Sequence, residues 1–177
     1  MIRRRAVIAG LLAAALVVAF GGFLLLSDPL RALESRLVLD VLRPGQRVTL
    51  VGDHYFQVLP AHHTPFRAQL TPFCSSLVPV LALAAIAAFV VHGHWVRRSA
   101  ALLTAATLVV ICNVLRIAAS LWVGLQVGAR GLVLFHDWVG TLFGLGYTMI
   151  GFFLMLYLLL PRATTRIPRA ARVSDVL

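Results

Sequence analysis

Lysine is absent from the 177 residues, acidic side chains number only six, and cysteine occurs twice. Each shortage excludes something. Two cysteines, Cys74 and Cys112, with no C-x-x-C and no second pair, cannot supply a disulfide framework or a thiol relay. No group of His, Cys, Asp or Glu has the spacing of a zinc site, so neither a metal nor another cofactor is expected. Charged residues make up 12% of the chain against 60% hydrophobic ones, which is far from a soluble domain. The missing lysine, with all sixteen basic residues Arg, is a trait of genome composition and carries no mechanism. A net charge of +10 would suit nucleic acid, but the arginines flank apolar runs rather than line a soluble face, so no nucleic-acid partner is expected.

What the chain has in plenty is long apolar sequence. Uncharged runs cover residues 6–26, 73–91, 100–121 (interrupted by Arg116) and 139–160. Each is close to the ~20 residues that cross a hydrocarbon core at ~1.5 Å rise per residue. The first follows Arg3, Arg4 and Arg5 as a signal peptide would. Its apolar run exceeds the usual ~7–15 residues, however, and "FGGFLLLSDPL" is a poor cleavage site, so a retained helix is expected. The expected fold is all-α and membrane-embedded. About four transmembrane helices form one bundle, with a small extracytoplasmic α+β segment at 27–72 and a basic tail at 161–177. No internal repeat divides the chain, so residues 1–177 are read as one domain.

Arginine placement orients this bundle in a cell membrane. With four crossings, Arg3, Arg4, Arg5, Arg97, Arg98, Arg162, Arg166, Arg169 and Arg172 share one side. Arg31, Arg36, Arg43, Arg47, Arg67 and Arg130 share the other, partly offset by Asp28, Glu34, Asp40 and Asp53. The positive-inside rule puts both termini and the "HGHWVRRS" turn in the cytoplasm. Segment 27–72 and the 122–138 connection then face outward.

Depth can now be assigned to the unusual side chains. Arg116 lies sixteen residues past Ala100, roughly 24 Å up at ~1.5 Å per residue, near the outer boundary. Cys74 opens the second run at that boundary, and His136 precedes the fourth there. Three reactive or ionisable groups thus converge on one membrane face.

Each also has a plainer reading. Facing lipid, Arg116 would simply snorkel its guanidinium to the outer headgroups; yet Ala101, Ala105, Cys112, Arg116 and Ser120 share one helical stripe of small residues, which suits packing against other helices. Asn113, three residues back, is within hydrogen-bonding reach of the guanidinium or a neighbouring loop. A lone Cys is most often a small buried hydrophobe. Thr71 and Pro72, however, suit an N-cap and a first helical position, placing Cys74 in a first turn where the helix dipole lowers a thiol pKa. Pro79 is expected to kink that helix or free the Ser75 carbonyl. A lone interfacial His is usually structural. His54 is assigned to a turn, His62 and His63 to a Pro-flanked loop, and His92 and His94 to the cytoplasmic side. As a set, Cys74 offers a nucleophile, His136 a base and then an acid, and Arg116 a fixed charge for an oxyanion or carboxylate. Acyl transfer through a thioester is the chemistry such a set supports.

Beyond the runs, "DPLRALESRLVLDVLR" places Leu30, Leu33, Leu37, Val41 and Leu42 near one face, predicting an interfacial amphipathic helix. "QRVTLVGDHYFQVLP", with a Gly52-Asp53 turn, and "FRAQL" predict short strands that form a lid or rim for an extended peptide. The stripe Gly140, Gly144, Thr148 and Gly151 on the fourth run predicts close helix packing.

The ordered motifs Cys74-Ser75-Ser76-Leu77, Asn113-Val114-Leu115-Arg116-Ile117 and His136-Asp137-Trp138-Val139-Gly140 resemble those of the exosortase and archaeosortase family, over roughly residues 45–160. The resemblance implies a multi-pass, sortase-like cysteine transpeptidase or protease, active at the outer membrane face. It implies Cys74 as nucleophile, Arg116 as essential arginine and His136 as third member. The implied substrates are membrane-anchored proteins with a C-terminal signal of short motif, transmembrane helix and basic tail. Many members have Cys-Ser-Gly where this chain has Cys-Ser-Ser, and around eight helices, so it resembles a minimal member. Two rivals from other classes are a non-catalytic membrane scaffold, for which Cys74→Ala is silent, and a thiol-disulfide oxidoreductase, for which Cys74 and Cys112 pair.

Overall fold

The computed structural model describes residues 2–42, 47–89 and 94–160. The tail 161–177, Arg43, His92 and the start of the "HGHWVRRS" turn lie outside them. Helix α1 (Ile2–Leu42) leads to strands β1 (Val48–Val51), β2 (Tyr55–Val58) and β3 (Phe66–Gln69). Helices α2 (Leu77–Phe89), α3 (Trp95–Val127), α4 (Ala129–Leu134) and α5 (Gly140–Leu159) follow. The protein is therefore mostly helical with one small antiparallel sheet. Two of its helical runs, Trp95–Val127 and Ala129–Leu159, are long and apolar enough to cross a membrane.

The expected first run and the outer amphipathic helix are one continuous helix of 41 residues that passes through Pro29. A single internal proline removes one backbone hydrogen bond, which the flanking turns tolerate. The leucine face of this helix is turned out and its polar face in: Leu33, Leu37 and Val41 are exposed, whereas Arg31, Glu34, Ser35 and Val38 are buried. Two of these polar groups bind backbone atoms of the segment around Cys74: Arg31 donates to the Leu70 carbonyl at 3.2 Å, and Glu34 accepts from the Ser76 N–H at 3.0 Å.

The sheet follows expectation. Three residues link β1 to β2, with Gly52 at φ 72°, a left-handed value that glycine adopts without a Cβ clash. Strand order is β1-β2-β3, with Val51 opposite Tyr55 and Tyr55 opposite Gln69. Phe56 and Val58 pack with Val38 of α1 and with Val114, Ile117 and Leu121 of α3, which seats the sheet over one end of the bundle. Deeper in the bundle, Leu83 of α2, Ala101, Ala105 and Val109 of α3, and Tyr147 and Met155 of α5 form a second core.

The 122–138 connection is helical rather than a loop. Helix α3 continues to Val127 and is broken at Gly128, whose φ of 84° ends the helical path beneath the His63 ring. At the other end Arg97 donates to the carbonyls of Leu158 (2.9 Å) and Leu160 (2.8 Å), and Arg98 to those of Ala87 and Ala88. These arginines satisfy the terminal carbonyls of α5 and α2, where a positive charge also suits the helix dipole.

Close packing of α3 on α5 depends on Gly151, where an added Cβ would lie 2.9 Å from Cγ2 of Val109. Valine in a helix has little rotamer freedom with which to withdraw. Gly151→Ala is expected to cost about 1–3 kcal/mol by overpacking. Gly146→Ala, into open space, is expected to gain roughly 0.5–1 kcal/mol of helix propensity. Thermal unfolding of both variants in detergent checks the contrast, and equal midpoints would refute it.

Candidate active site

From β3 the chain passes through Leu70 and Thr71 into a 3-10 turn, Pro72–Cys74, and then an extended Ser75 (φ −77°, ψ 155°) before α2 begins at Leu77. Cys74 is therefore outside the first turn of α2, contrary to expectation, and the dipole of that helix is not what tunes it. Thr71 makes no side-chain cap; its Oγ1 lies 3.1 Å from Cys74 Sγ instead. Pro79 falls in the first turn of α2, where an N–H would lack an intrahelical partner, so it costs the helix no hydrogen bond. The expected kink has no cause there.

His136 lies in a single π-turn, Phe135–Val139, inserted between α4 and α5. Its Nε2 lies 3.3 Å from Cys74 Sγ. Arg116 Nη2 lies 3.3 Å from the same nitrogen. All three sequence-derived residues thus meet at one atom. A guanidinium can only donate, so toward Arg116 the imidazole must present the lone pair of Nε2. The thiol and the guanidinium therefore compete for that lone pair.

Arg116 is held by what surrounds it. Nη1 donates to Asn113 Oδ1 at 3.3 Å, while Nε is buried without a partner among the described residues. Gly140, expected only to pack helices, makes room for the guanidinium: an added Cβ would lie 2.9 Å from Arg116 Nε. On the α3 stripe Ala101, Ala105 and Ser120 are buried, with Cys112 and Arg116 half-buried between them. The stripe faces protein, as expected.

Electrostatics at the thiol oppose one another. Burial disfavours the thiolate, but hydrogen bonds with His136 and Thr71, and the positive charge His136 can carry, outweigh it and bring Cys74 down to about 7. A thiol held there is substantially ionised at neutral pH. Cys74 and Cys112 are both free.

Of the site's other polar residues, Glu34 and Tyr147 were not singled out from sequence, Ser76 only as part of a motif and Thr71 only as an N-cap. Glu34 and Ser76 are fully buried and hydrogen-bonded to each other, with Ser76 Oγ donating to Glu34 Oε1 at 2.5 Å. Tyr147 Oη donates to Asn113 Oδ1 at 2.9 Å, and Thr71 contacts the thiol. One signal was available: Glu34 and Asn113 are the only glutamate and the only asparagine in the sequence. The other described histidines do not reach the thiol. His54 is in the hairpin turn, 3.9 Å from Asp28, His62 and His63 are in the loop before β3, and His94 precedes α3.

Cys74 and His136 form part of the wall of a cavity of about 130 Å³ between sheet and bundle, walled otherwise mainly by Phe56, Ala68, Leu70, Ile117, Leu121 and Leu132. No family model, curated protein or solved structure matches the chain.

Proposed function

We propose that this protein is a membrane-embedded cysteine transpeptidase or protease of the exosortase and archaeosortase kind, acting on the extracytoplasmic side. The observation that carries this reading is the meeting of Cys74 Sγ and Arg116 Nη2 at His136 Nε2, each at 3.3 Å, beside an apolar cavity. In the reaction His136 takes the thiol proton and the Cys74 sulfur attacks a peptide carbonyl, forming a C–S bond. The added positive charge on His136 repels Arg116, which moves its guanidinium onto the developing oxyanion. As the intermediate collapses, the C–N bond breaks and the departing amine takes the proton from His136. A thioester remains on Cys74. Water or an acceptor nucleophile then attacks it, gives a proton to His136 and releases the thiol.

The substrate is an extended peptide. Leu70 N–H donates to His54 carbonyl at 2.9 Å, so His54 and Leu70 form a hydrogen-bonded pair. By alternation the N–H and C=O of Gln69 point away from β2, along the open edge of the sheet and beside the cavity. A peptide added along that edge lies in reach of Cys74 and places alternate side chains in the apolar cavity.

Membrane insertion is supported by the two long apolar helices and by outward residues such as Leu142, Leu145, Ile150 and Phe153, an apolar surface too extensive for water. Four crossings, at the start of α1 and at α2, α3 and the α4–α5 run, put both termini in the cytoplasm under the positive-inside rule. Cys74 then lies outward of α2.

The test is co-expression with reporters that carry an extended segment of randomised sequence, an apolar helix and an Arg-rich tail. Release of the reporter, with hydroxylamine capturing a new C-terminal hydroxamate, is expected from the parent and not from Cys74→Ala. Release that Cys74→Ala leaves unchanged, or no release from any segment, would favour the scaffold.

A further inference from the structure

Glu34 is fully buried, on the inward face of α1. Its Oε1 accepts from Ser76 N–H at 3.0 Å, Ser76 Oγ at 2.5 Å and Asn113 Nδ2 at 3.1 Å. Its Oε2 is buried with no partner among the described residues. Placing a carboxylate in such surroundings is costly unless its hydrogen bonds compensate, and an apolar side chain would fill the space more cheaply. The group's position points to a purpose other than packing.

That purpose lies in what its partners hold. Asn113 Nδ2 donates a second hydrogen bond to the Cys74 carbonyl at 3.0 Å, and Asn113 Oδ1 accepts from Arg116 Nη1 at 3.3 Å and Tyr147 Oη at 2.9 Å. An amide presents its donors on one side and its acceptor on the other. The acceptor on Glu34 therefore acts with the Cys74 carbonyl and Arg116 to fix which way the Asn113 amide faces. Reversed, the amide would point its NH2 at Arg116, which has only donors, and its oxygen at the Cys74 carbonyl, which has only lone pairs. Both contacts would be lost. The same Glu34 oxygen also holds the Ser76 backbone, two residues after the thiol.

We infer that Glu34 is a positioning residue of the Cys74 site, whose carboxylate oxygen sets the Asn113 amide and the Ser76 backbone so that thiol, guanidinium and imidazole meet. It touches none of the reacting atoms. The inference rests on the reading of Cys74 as a tuned nucleophile. The ionisable and charged groups around that nucleophile are His136 from the π-turn, Arg116 from α3, Tyr147 from α5 and Glu34 itself from α1. Because a negative Glu34 would by itself oppose the thiolate, its contribution comes through hydrogen bonds rather than through charge.

The test measures the pH dependence of Cys74 alkylation in the full chain in detergent, in a Cys112→Ala background. Glu34→Leu and Glu34→Gln are compared with the parent, with thermal unfolding recorded for each. Leucine fills the space and accepts nothing; glutamine keeps the acceptor and drops the charge. The Leu variant is expected to move the midpoint from about 7 toward the ordinary ~8.5, and the Gln variant to stay near the parent. A Leu variant that keeps the parent's midpoint, or a Gln variant that shifts as far as Leu, overturns the inference. So does a Leu variant that fails to fold where Gln folds, since Glu34 then serves the fold alone. A parent thiol that titrates near ~8.5 removes the nucleophile reading and the positioning role together. A tuned parent thiol indifferent to both substitutions removes only the latter.

Discussion

His136→Ala is expected to lower product formation by about 10²–10⁴-fold at neutral pH, the range lost when a positioned acid–base group is removed. The loss has two separable parts. Burial pushes the Cys74 pKa up, and contact with His136 does more than Thr71 alone to bring it back to about 7. Without the imidazole, burial is opposed by Thr71 only, and the pKa rises to ~8.5 or above. The thiolate is the form present above the pKa. At pH 7 its fraction therefore falls from about one half to a few per cent, and the rise of rate with pH moves to the alkaline side. Part of the deficit is accordingly recovered by pH 9, where thiolate forms without help. The remainder reflects the missing proton for the departing amine, which raising the pH cannot replace. Alkylation of Cys74 by a membrane-impermeant reagent measures the first part, and reporter release across pH measures both. An alkylation midpoint unchanged by His136→Ala would remove His136 from the site.

The same three residues are legible in the sequence because long apolar runs leave few choices of fold. Hydropathy placed Cys74, Arg116 and His136 near ends of three runs, and arginine counting put those ends on one side; in the fold they meet within hydrogen-bonding distance. The hairpin was legible in the same way, since Gly52-Asp53 between alternating residues admits few turns. Glu34 was not. It lies in a segment where charges alternate with leucines, and an amphipathic pattern alone cannot say what its polar face meets. Leu33, Leu37 and Val41 point outward and Glu34 and Ser35 inward. The start of α2 was missed for a related reason. Thr71 and Pro72 carry the composition of a helix start, but Thr71 Oγ1 turns to the thiol and Ser75 remains extended, which delays the helix to Leu77. Tertiary partners decided both cases, and those partners lie far away in sequence.

Arg116→Lys is expected to lose nearly as much turnover as Arg116→Ala, about 10²–10³-fold, while leaving the protein folded. Charge is conserved in this substitution and shape is not. Arg116 spans two acceptors at once, with Nη1 on Asn113 Oδ1 and Nη2 on His136 Nε2, both at 3.3 Å. A planar fork makes these contacts from one fixed group, whereas an ammonium is a single point on a flexible stem and satisfies one or the other. Proton transfer to His136 must also release the cation from Nε2 toward the oxyanion while Asn113 still holds it, a pivot open to a forked group anchored at its other nitrogen. Gly140 supplies an independent approach to the same point, because an added Cβ would stand 2.9 Å from Nε and 3.5 Å from Nη2. Gly140→Ala leaves the guanidinium in the protein but displaces it. Its backbone is ordinary αR helix, so alanine brings no conformational strain of its own. If Arg116 acts through exact placement, Gly140→Ala in an Arg116→Ala background adds little further loss, whereas alone it costs at least tenfold. Additive losses across that double-mutant cycle would mean that Gly140 serves helix packing alone. Full activity of Arg116→Lys would mean that a positive charge anywhere near His136 suffices.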